Sequence, residues 1–464
     1  MASPVSQRVV VVGGGISGLA CLWRLVAAGV DAELVERTGR LGGLVRTERR
    51  DGFLIEAGPS TVIGYPDLLD LARDAGLGDE IVRADGSRPR FVYFDGRLQR
   101  APLGPGTLVG TRLLSLRGKL RLFCEPFVRD RSEGEESIRD FFTRRFGREL
   151  HDVLVAPIIS GIFAGDTTRL SIDAVFPRLA DLERRYGSVV TGFFRDRSKR
   201  DARESGRQTL VSFRDGLEAL PARIGERLAP RIRRGAEVEL IRRTPTGFEV
   251  ALRDTAISAT AVILATPADT AARLLAPVAP IATDSLSGIE SPSLASVSLG
   301  YRRSDLGVSP GGFGFLAPRG QGLRLLGSIF VSSLFPGRAP EGEVALTSFV
   351  GGATDPDAAA LGEDELVELV DRDLARALGT RAHPKVLGVH RYRQAIPQYT
   401  LGHRLRIAAI EEALATAPGL FVTGNFLDGV SVGDCVRRAK GTAETVMRFL
   451  EERRRTAAHE STAA

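Results

Sequence analysis

The run Gly13-Gly14-Gly15-Ile16-Ser17-Gly18 fits the pattern G-x-G-x-x-G, set between an apolar stretch and a helical one. Gly13 permits the tight turn, Gly15 lets backbone approach a diphosphate, and Gly18 lets helix and strand pack closely. The free N–H groups at the helix start, with the positive end of its dipole, face the same anion. Glycine-rich turns are common, so the pattern gains its weight from Glu36, at the end of the next strand with seventeen residues between it and Gly18. A carboxylate there accepts hydrogen bonds from an adenosine ribose and repels a 2′-phosphate, which disfavours NADP. The segment Arg40-Leu41-Gly42-Gly43-Leu44-Val45-Arg46-Thr47 follows directly. A second glycine pair at this place lets backbone lie against the phosphate and ring of a flavin, and a simple nicotinamide dehydrogenase has no use for it. Glu56-Ala57-Gly58-Pro59 reads as a further close approach.

Near the C-terminus, Thr423-Gly424-Asn425 and Gly429-Val430-Ser431-Val432-Gly433-Asp434-Cys435 read as a strand feeding a helix N-terminus. Reduced flavin carries negative charge at its pyrimidine edge, and a helix N-terminus pointed there favours reduction. Only a dinucleotide spans from Glu36 to this helix, which selects FAD over FMN, and the second glycine pair with this helix start selects it over NAD. Cys435 sits where a thiol pKa can fall, but burial as a small apolar residue is the plainer reading. His403, close to Tyr399 without an acidic neighbour in sequence, reads as a structural histidine.

The elements that position these residues begin with a βαβ unit: a strand from Arg8 to Val12, a helix from Ile16 to Ala28 closed by Gly29, and a strand from Ala32 to Glu36. A helical, basic stretch is expected over roughly 97–200. Within it, Arg97 to Cys124 carries Arg97, Arg100, Arg112, Arg117, Lys119 and Arg121 and no acidic residue. Ser198 to Gln208 reads as a loop, and Val238 to Leu240 and Val262 to Ala265 as short buried strands. Between Ala295 and Val350 the β-rich runs Ala295–Tyr301, Leu325–Val331 and Val344–Val350 predict an antiparallel sheet. Glu363 to Leu378 returns to helix, Leu420 to Thr423 is a strand, and a last helix begins near Val432. The polar tail after Arg453 is expected to fray.

The 464-residue chain has 26% charged and 43% hydrophobic residues, which is globular composition. A net charge of +6 over this length does not make a nucleic-acid binder. Cys21, Cys124 and Cys435 form neither a disulfide framework nor a zinc site, and no histidine pair has metal spacing. The cysteine usage points to a reducing compartment. The sequence up to Gln7 leaves no room for a signal peptide before the first strand, and no apolar run of about 18 residues predicts a membrane span.

Taken with Gly161-Ile162-Phe163-Ala164-Gly165-Asp166, Ser212-Phe213-Arg214-Asp215-Gly216-Leu217 and Ile396-Pro397-Gln398-Tyr399-Thr400-Leu401-Gly402-His403, these motifs resemble the FAD-dependent protoporphyrinogen oxidases, from residue 8 to about 450. The bacterial coproporphyrinogen III oxidases share much of the pattern. Of these, Gly13–Gly18 and Arg40–Thr47 also belong to the wider monoamine oxidase-like superfamily, whereas Gly161–Asp166 and Ile396–His403 are far more specific. The resemblance implies an α/β plus α+β fold: a discontinuous Rossmann-like FAD-binding domain (1–90, 208–275, 391–455), a helical, membrane-associated domain (91–207), a β-rich substrate domain (276–390) and a disordered tail (456–464). It implies FAD contacts at Gly13, Gly14, Gly15, Ile16, Ser17, Gly18, Glu36, Arg37, Leu44, Gly58, Pro59, Ser60, Thr61, Val238, Val430, Ser431 and Val432, beside Gly42 and Gly43. Substrate contacts fall on Arg90, Ala164, Phe313, Leu316 and Phe349, with Arg90 pairing a propionate. Three positions depart from the family: Gly433 stands where many members have Asn, Leu44 where they have Trp or Arg, and Phe349 where Met is common.

The implied activity is oxygen-dependent oxidation of protoporphyrinogen IX to protoporphyrin IX in heme biosynthesis, by hydride transfer to FAD in three two-electron rounds that release hydrogen peroxide. Coproporphyrinogen III is the alternative substrate. An amine oxidase, a carotenoid desaturase and a non-catalytic nucleotide-binding module are the other readings. Peripheral attachment to a membrane surface, a cytoplasmic location and a homodimer go with the first. The flavin carries the chemistry, so no catalytic side chain is assigned and no metal is expected.

Overall fold

The computed structural model describes residues 7–102, 104–132, 134–196, 209–308 and 310–463. The expected loop at Ser198–Gln208 lies outside them. A parallel five-stranded sheet runs in the order Ile232–Arg234, Ala32–Glu36, Val9–Val12, Ala261–Leu264, Leu420–Val422. Val9–Val12 lies at its centre, buried on both faces, which is why its sequence is uninterrupted valine. Three distant stretches of chain supply the strands, so the nucleotide-type sheet is discontinuous in sequence.

The helix Ile16–Ala27 returns along this sheet and packs on the long helix Val432–Ala463, with Leu19, Leu22, Val436 and Ala443 in their shared core. That last helix corrects the expectation of a frayed tail. Residues beyond Arg453 continue it to Ala463, supported by the Glu451–Arg455 pair and by Thr456 and His459 bonding to carbonyls one turn back. The helix is already nucleated by packing against Ile16–Ala27, and Ala, Arg and Glu extend it at little cost.

A seven-stranded sheet follows the order Lys385–Tyr392, Leu294–Arg302, Glu343–Gly351, Gly327–Ile329, Gly314–Leu316, Arg90–Phe94, Arg97–Arg100. It is antiparallel, as the sequence predicts, apart from the parallel pairing of Gly314–Leu316 with Arg90–Phe94. One face buries Val297, Leu299, Leu346 and Phe315 against Leu366, Val370 and Leu374 of the helix Glu363–Leu378. Two local expectations change here. The segment from Arg97 starts as a strand, because Asp95 and Gly96 (φ +53° and +72°) form a tight hairpin turn that returns it alongside Arg90–Phe94. The run Leu325–Val331 is a strand only over Gly327–Ile329 and then turns into the short helix Val331–Leu334.

The remaining unit is helical. Ile138, Phe141, Ile159, Phe163, Leu170 and Tyr399 form its core, and Arg145 and Glu125 make an ion pair fully withdrawn from solvent. Among the described residues, no helix is long and apolar enough to cross a membrane.

Candidate active site

The glycine turn after Val12 has the geometry its spacing demands. Gly13 adopts φ +108°, and a Cβ there would sit 2.6 Å from the Ala265 carbonyl oxygen. A Cβ on Gly18 would lie 1.9 Å from the Gly13 carbonyl oxygen, so helix and strand touch through bare backbone. Gly15 differs: it caps the helix Ile16–Ala27 with ordinary extended dihedrals, and a Cβ there would meet no atom within 4 Å. No side chain caps this helix start, so its first N–H groups point into open space.

The walls of that space come from the other motifs. The Gly42 N–H donates to the Gly14 carbonyl at 2.8 Å, and a Cβ on Gly43 would press to 3.1 Å from the Gly15 Cα, so the two glycine loops abut. A Cβ on Gly58 would fall 1.9 Å from the Leu44 carbonyl oxygen, so this third approach is also backbone on backbone. Leu44 itself is half exposed. Glu36 accepts from the Gly14 N–H (2.6 Å) through one oxygen and from the Thr38 N–H and hydroxyl (2.8 and 2.7 Å) through the other. It is thereby fixed at the rim of the turn with lone pairs to spare. Val238 is buried at the start of Val238–Thr244, close behind Glu36 through the Ala236 N–H to Glu36 carbonyl bond. Arg37 is exposed, and among the described residues no bond draws it into the walls.

The C-terminal loop closes the group. Gly429 turns with φ +86°, the Ser431 hydroxyl accepts from the Asp434 N–H (3.1 Å), and Val432 starts the long helix. Cys435 bonds Ser17, which puts the starts of the two helices side by side. Cys435 is buried in the shared core of the two helices, and that burial pushes its thiol up to about 11, in keeping with a packing residue. Ser60, just past Gly58 and Pro59 and before Thr61, is buried with a hydroxyl that has no partner among the described residues.

Sequence reading missed what holds these loops. The Arg40 guanidinium donates to the carbonyls of Leu41, Val45 and Gly43 and pairs with Glu218. Glu218 also accepts from the Thr47 N–H (2.8 Å). The buried Glu56 accepts from the Thr47 hydroxyl (2.7 Å) and the Leu217 N–H (3.0 Å), and faces Arg338, which donates to Ser212, Phe213 and Arg214. Burial raises the Glu56 pKa against these bonds. The Ser212–Leu217 motif is therefore a clamp on the glycine doublet. Arg40 was visible at the head of its motif, whereas nothing local marked Arg338.

On the open face of the seven-stranded sheet, Leu316 and Phe349 flank Gly327 in adjacent registers. Ala164 closes the helix Ala156–Phe163 in the left-handed conformation (φ +48°) and packs with Phe349. A Cβ on Gly161 would meet Leu316 at 2.6 Å, so the helix end lies directly on this apolar wall. Arg90 and Phe313 form a second pair, the guanidinium 5.1 Å from the ring centroid, one step along the same strands. Ala164, Leu316 and Phe349 thus come together, with Arg90 and Phe313 beside them.

The Ile396–His403 motif joins the two groups. Gln398 donates to the Phe163 carbonyl (2.8 Å), and the Tyr399 hydroxyl donates to the Asn425 carbonyl (2.5 Å) in the C-terminal loop. His403 stacks on Tyr399 at 4.2 Å, and burial lowers its pKa from 6.5 to about 4. The unfolded chain protonates this histidine near 6.5 while the folded ring stays neutral, so its contribution to stability holds at neutral pH and is lost as pH falls toward about 4. His403→Phe keeps the stack, and the fall of Tm across that range should become shallower. Identical acid limbs for the two proteins would show that His403 titrates as it does in the unfolded chain.

The family model for flavin-containing amine oxidoreductases matches residues 16–447. A chloroplast protoporphyrinogen oxidase of Oryza sativa subsp. japonica is 37% identical, covering 96% of this chain and 89% of that protein. A coproporphyrinogen III oxidase of Bacillus subtilis (strain 168) is 28% identical, covering 96% of this chain and 98% of that protein. A solved structure from Exiguobacterium sp. 255-15, whose protein is proposed to be a protoporphyrinogen oxidase, superposes with a TM-score of 0.82 at 30% identity, covering 97% of this chain and all of that one.

Proposed function

The chain belongs to the flavin-containing amine oxidoreductase family, and from that membership we propose that it oxidises protoporphyrinogen IX to protoporphyrin IX, with coproporphyrinogen III as the alternative substrate. It is an FAD-dependent oxidoreductase. The observation that carries the reading is the pairing of two features: an open, backbone-walled space at Gly15, and an apolar wall of Leu316, Phe349 and Ala164 flanked by Arg90 on Phe313.

The residues present fit FAD. The uncapped N–H groups after Gly15 suit a diphosphate, Glu36 a ribose, and the unpartnered Ser60 hydroxyl a polar edge of the cofactor. Gly13 to Gly18, Gly42, Gly43, Leu44, Gly58 to Thr61 and Val430 to Val432 would hold it, with Val238 behind the ribose end and Arg37 at the surface beside it. When bound, flavin supplies hydride acceptance and reoxidation by oxygen. The chain supplies placement. Its apolar wall excludes water and accepts a flat macrocycle, and Arg90, held over Phe313, is oriented for a carboxylate. The helix beginning at Val432 favours negative charge at its N-terminus.

The amine oxidase reading loses ground on lysine. Lys385 and Lys440 are committed to Glu343 and Asp67. Steady-state rates with both porphyrinogens, followed by porphyrin fluorescence, test the proposal and set the preference. Failure with both would overturn it.

Arg90→Ala is expected to weaken transition-state binding by roughly 1.5–3 kcal/mol, the scale of a charged hydrogen bond, without loss of flavin. Arg90→Lys should recover part of this, since the bidentate fork is lost. The ratio kcat/KM checks it, and unchanged kinetics would return Arg90 to a solvated surface role.

Peripheral membrane attachment, on a cytoplasmic protein, is part of the same proposal. Leu116, Leu120, Phe123 and Phe127 recur at helical spacing on the helix Leu116–Phe123 and the turn after it, and all are exposed, Phe127 at 82%. Arg117 and Lys119 lie among them, whereas Arg121 donates to the Arg144 and Arg145 carbonyls and serves the fold instead. Such a face suits the headgroup region of an anionic bilayer. Flotation with anionic vesicles should be lost in Phe123→Ser/Phe127→Ser. Equal flotation of this variant and wild type would remove this face from the proposal.

A further inference from the structure

A cavity of about 660 Å³ opens at the edge of the seven-stranded sheet, outside the glycine-walled space. Arg90, Arg97, Arg100 and Arg112 line it together with Gln99 and Thr111, and no carboxylate does. Among the described residues, none of these four guanidinium groups has an ion pair or hydrogen bond, whereas Arg88, two residues before Arg90, pairs with Asp85. The fold gathers them deliberately. The hairpin at Asp95–Gly96 lays Arg97–Arg100 alongside Arg90–Phe94, and the Ala101 N–H donates to the Arg90 carbonyl at 2.8 Å. Leu113, buried against Val92 and Val153, anchors the segment that delivers Arg112.

Like charges held around one cavity repel each other, and an anionic ligand relieves that repulsion. A single carboxylate would satisfy one guanidinium, so four without partners suit a ligand with several acidic groups. The cavity is also larger than an inorganic anion requires. Arg90 is common to the cavity and, through Phe313, to the apolar wall, so a ligand seated on the wall projects its acidic edge into the cavity.

We propose that the cavity lined by Arg90, Arg97, Arg100 and Arg112 is a carboxylate-binding site that holds the acidic side chains of a tetrapyrrole outside the flavin cleft and favours tetrapyrroles with more carboxylates. This rests on the tetrapyrrole reading above and, of its two substrates, favours the alternative, coproporphyrinogen III. It divides the basic stretch in two: Arg97, Arg100 and Arg112 serve a small-molecule ligand, and Arg117 and Lys119 are left to the exposed apolar helix.

The test uses the flavin-loaded full chain and two stable oxidised ligands, coproporphyrin III and protoporphyrin IX, which differ by propionates in place of vinyls. Binding is titrated for wild type and for Arg97→Gln/Arg100→Gln/Arg112→Gln, with flavin absorbance reporting that the fold is intact. Coproporphyrin should bind the variant at least about tenfold more weakly, protoporphyrin, with two carboxylates instead of four, should lose less, and added salt should erase the wild-type preference for coproporphyrin. Equal binding of coproporphyrin to variant and wild type would overturn the site while leaving the tetrapyrrole reading intact. Unchanged porphyrin binding with reduced flotation on anionic vesicles would also overturn it, by assigning the arginines to lipid. If flavin-loaded wild type binds neither porphyrin, the tetrapyrrole reading itself fails and the site with it.

Discussion

Gly15→Val is expected to give a folded protein that carries no flavin. The reason is the unusual position of this glycine among its neighbours. Its dihedrals (φ −70°, ψ 175°) suit any residue, and an added Cβ meets nothing within 4 Å. A valine there leaves the strand and helix undisturbed and fills only the space assigned to the diphosphate. Far-UV circular dichroism should match wild type, visible flavin absorbance should be absent, and Tm should match that of wild type stripped of flavin. Gly18→Val makes the contrast. Its Cβ would lie 1.9 Å from the Gly13 carbonyl oxygen, so the helix must leave the strand and soluble protein should be lost. Full flavin content in Gly15→Val would mean that the diphosphate lies elsewhere.

The largest effect on stability is expected from the buried ion pair of the helical unit. Arg145 and Glu125 are both fully buried. The Arg145 Nε donates to Glu125 at 2.8 Å, and its other nitrogens reach the carbonyls of Val128 and Gly187. Glu125 in turn accepts from the Ser188 hydroxyl (2.6 Å) and from the Val189 and Val190 N–H groups (2.9 and 3.2 Å). One pair therefore ties together the turn at Glu125–Phe127, the helix Ile138–Phe146 and the start of Val189–Arg195. Arg145→Ala leaves a carboxylate buried without its countercharge and should cost about 3–5 kcal/mol, whereas Glu125→Leu/Arg145→Met should recover much of it. The exposed Arg148–Asp152 pair is the control, and Arg148→Ala should cost under about 0.5 kcal/mol. Denaturant midpoints check all three. Equal midpoints for Arg145→Ala and Arg148→Ala would remove the pair from the fold's supports.

The glycine turns were legible in sequence because each sits in a short motif of fixed spacing, as Gly18 meets Gly13 within one turn, although Gly13 also presses on the distant Ala265 carbonyl and Gly43 on Gly15. The same holds for Ile16–Ala27, whose helical spacing and closing Gly29 lie within one segment. Leu316 and Phe349 were named from family resemblance alone; what puts them on one wall is the register through Gly327, which no local spacing encodes. Arg338 and Glu56, or Arg145 and Glu125, meet only because the fold brings distant stretches together, and each reads in isolation as one more surface charge. The Arg90–Arg100 hairpin was hidden for a related reason: its basic residues suggested a helical face, and the Asp95–Gly96 turn was overlooked. The long final helix was underestimated because composition alone does not reveal that it is already anchored.

The most direct measurement is anaerobic mixing of the purified flavoprotein with protoporphyrinogen IX and, separately, coproporphyrinogen III. Flavin absorbance and porphyrin fluorescence are followed together. Bleaching of the flavin by at least one porphyrinogen without oxygen, followed on admission of oxygen by return of the colour and by porphyrin emission as the three two-electron rounds are completed, is the expected result. A flavin that stays oxidised with both porphyrinogens, and bleaches when a primary amine is added instead, would contradict the assigned function.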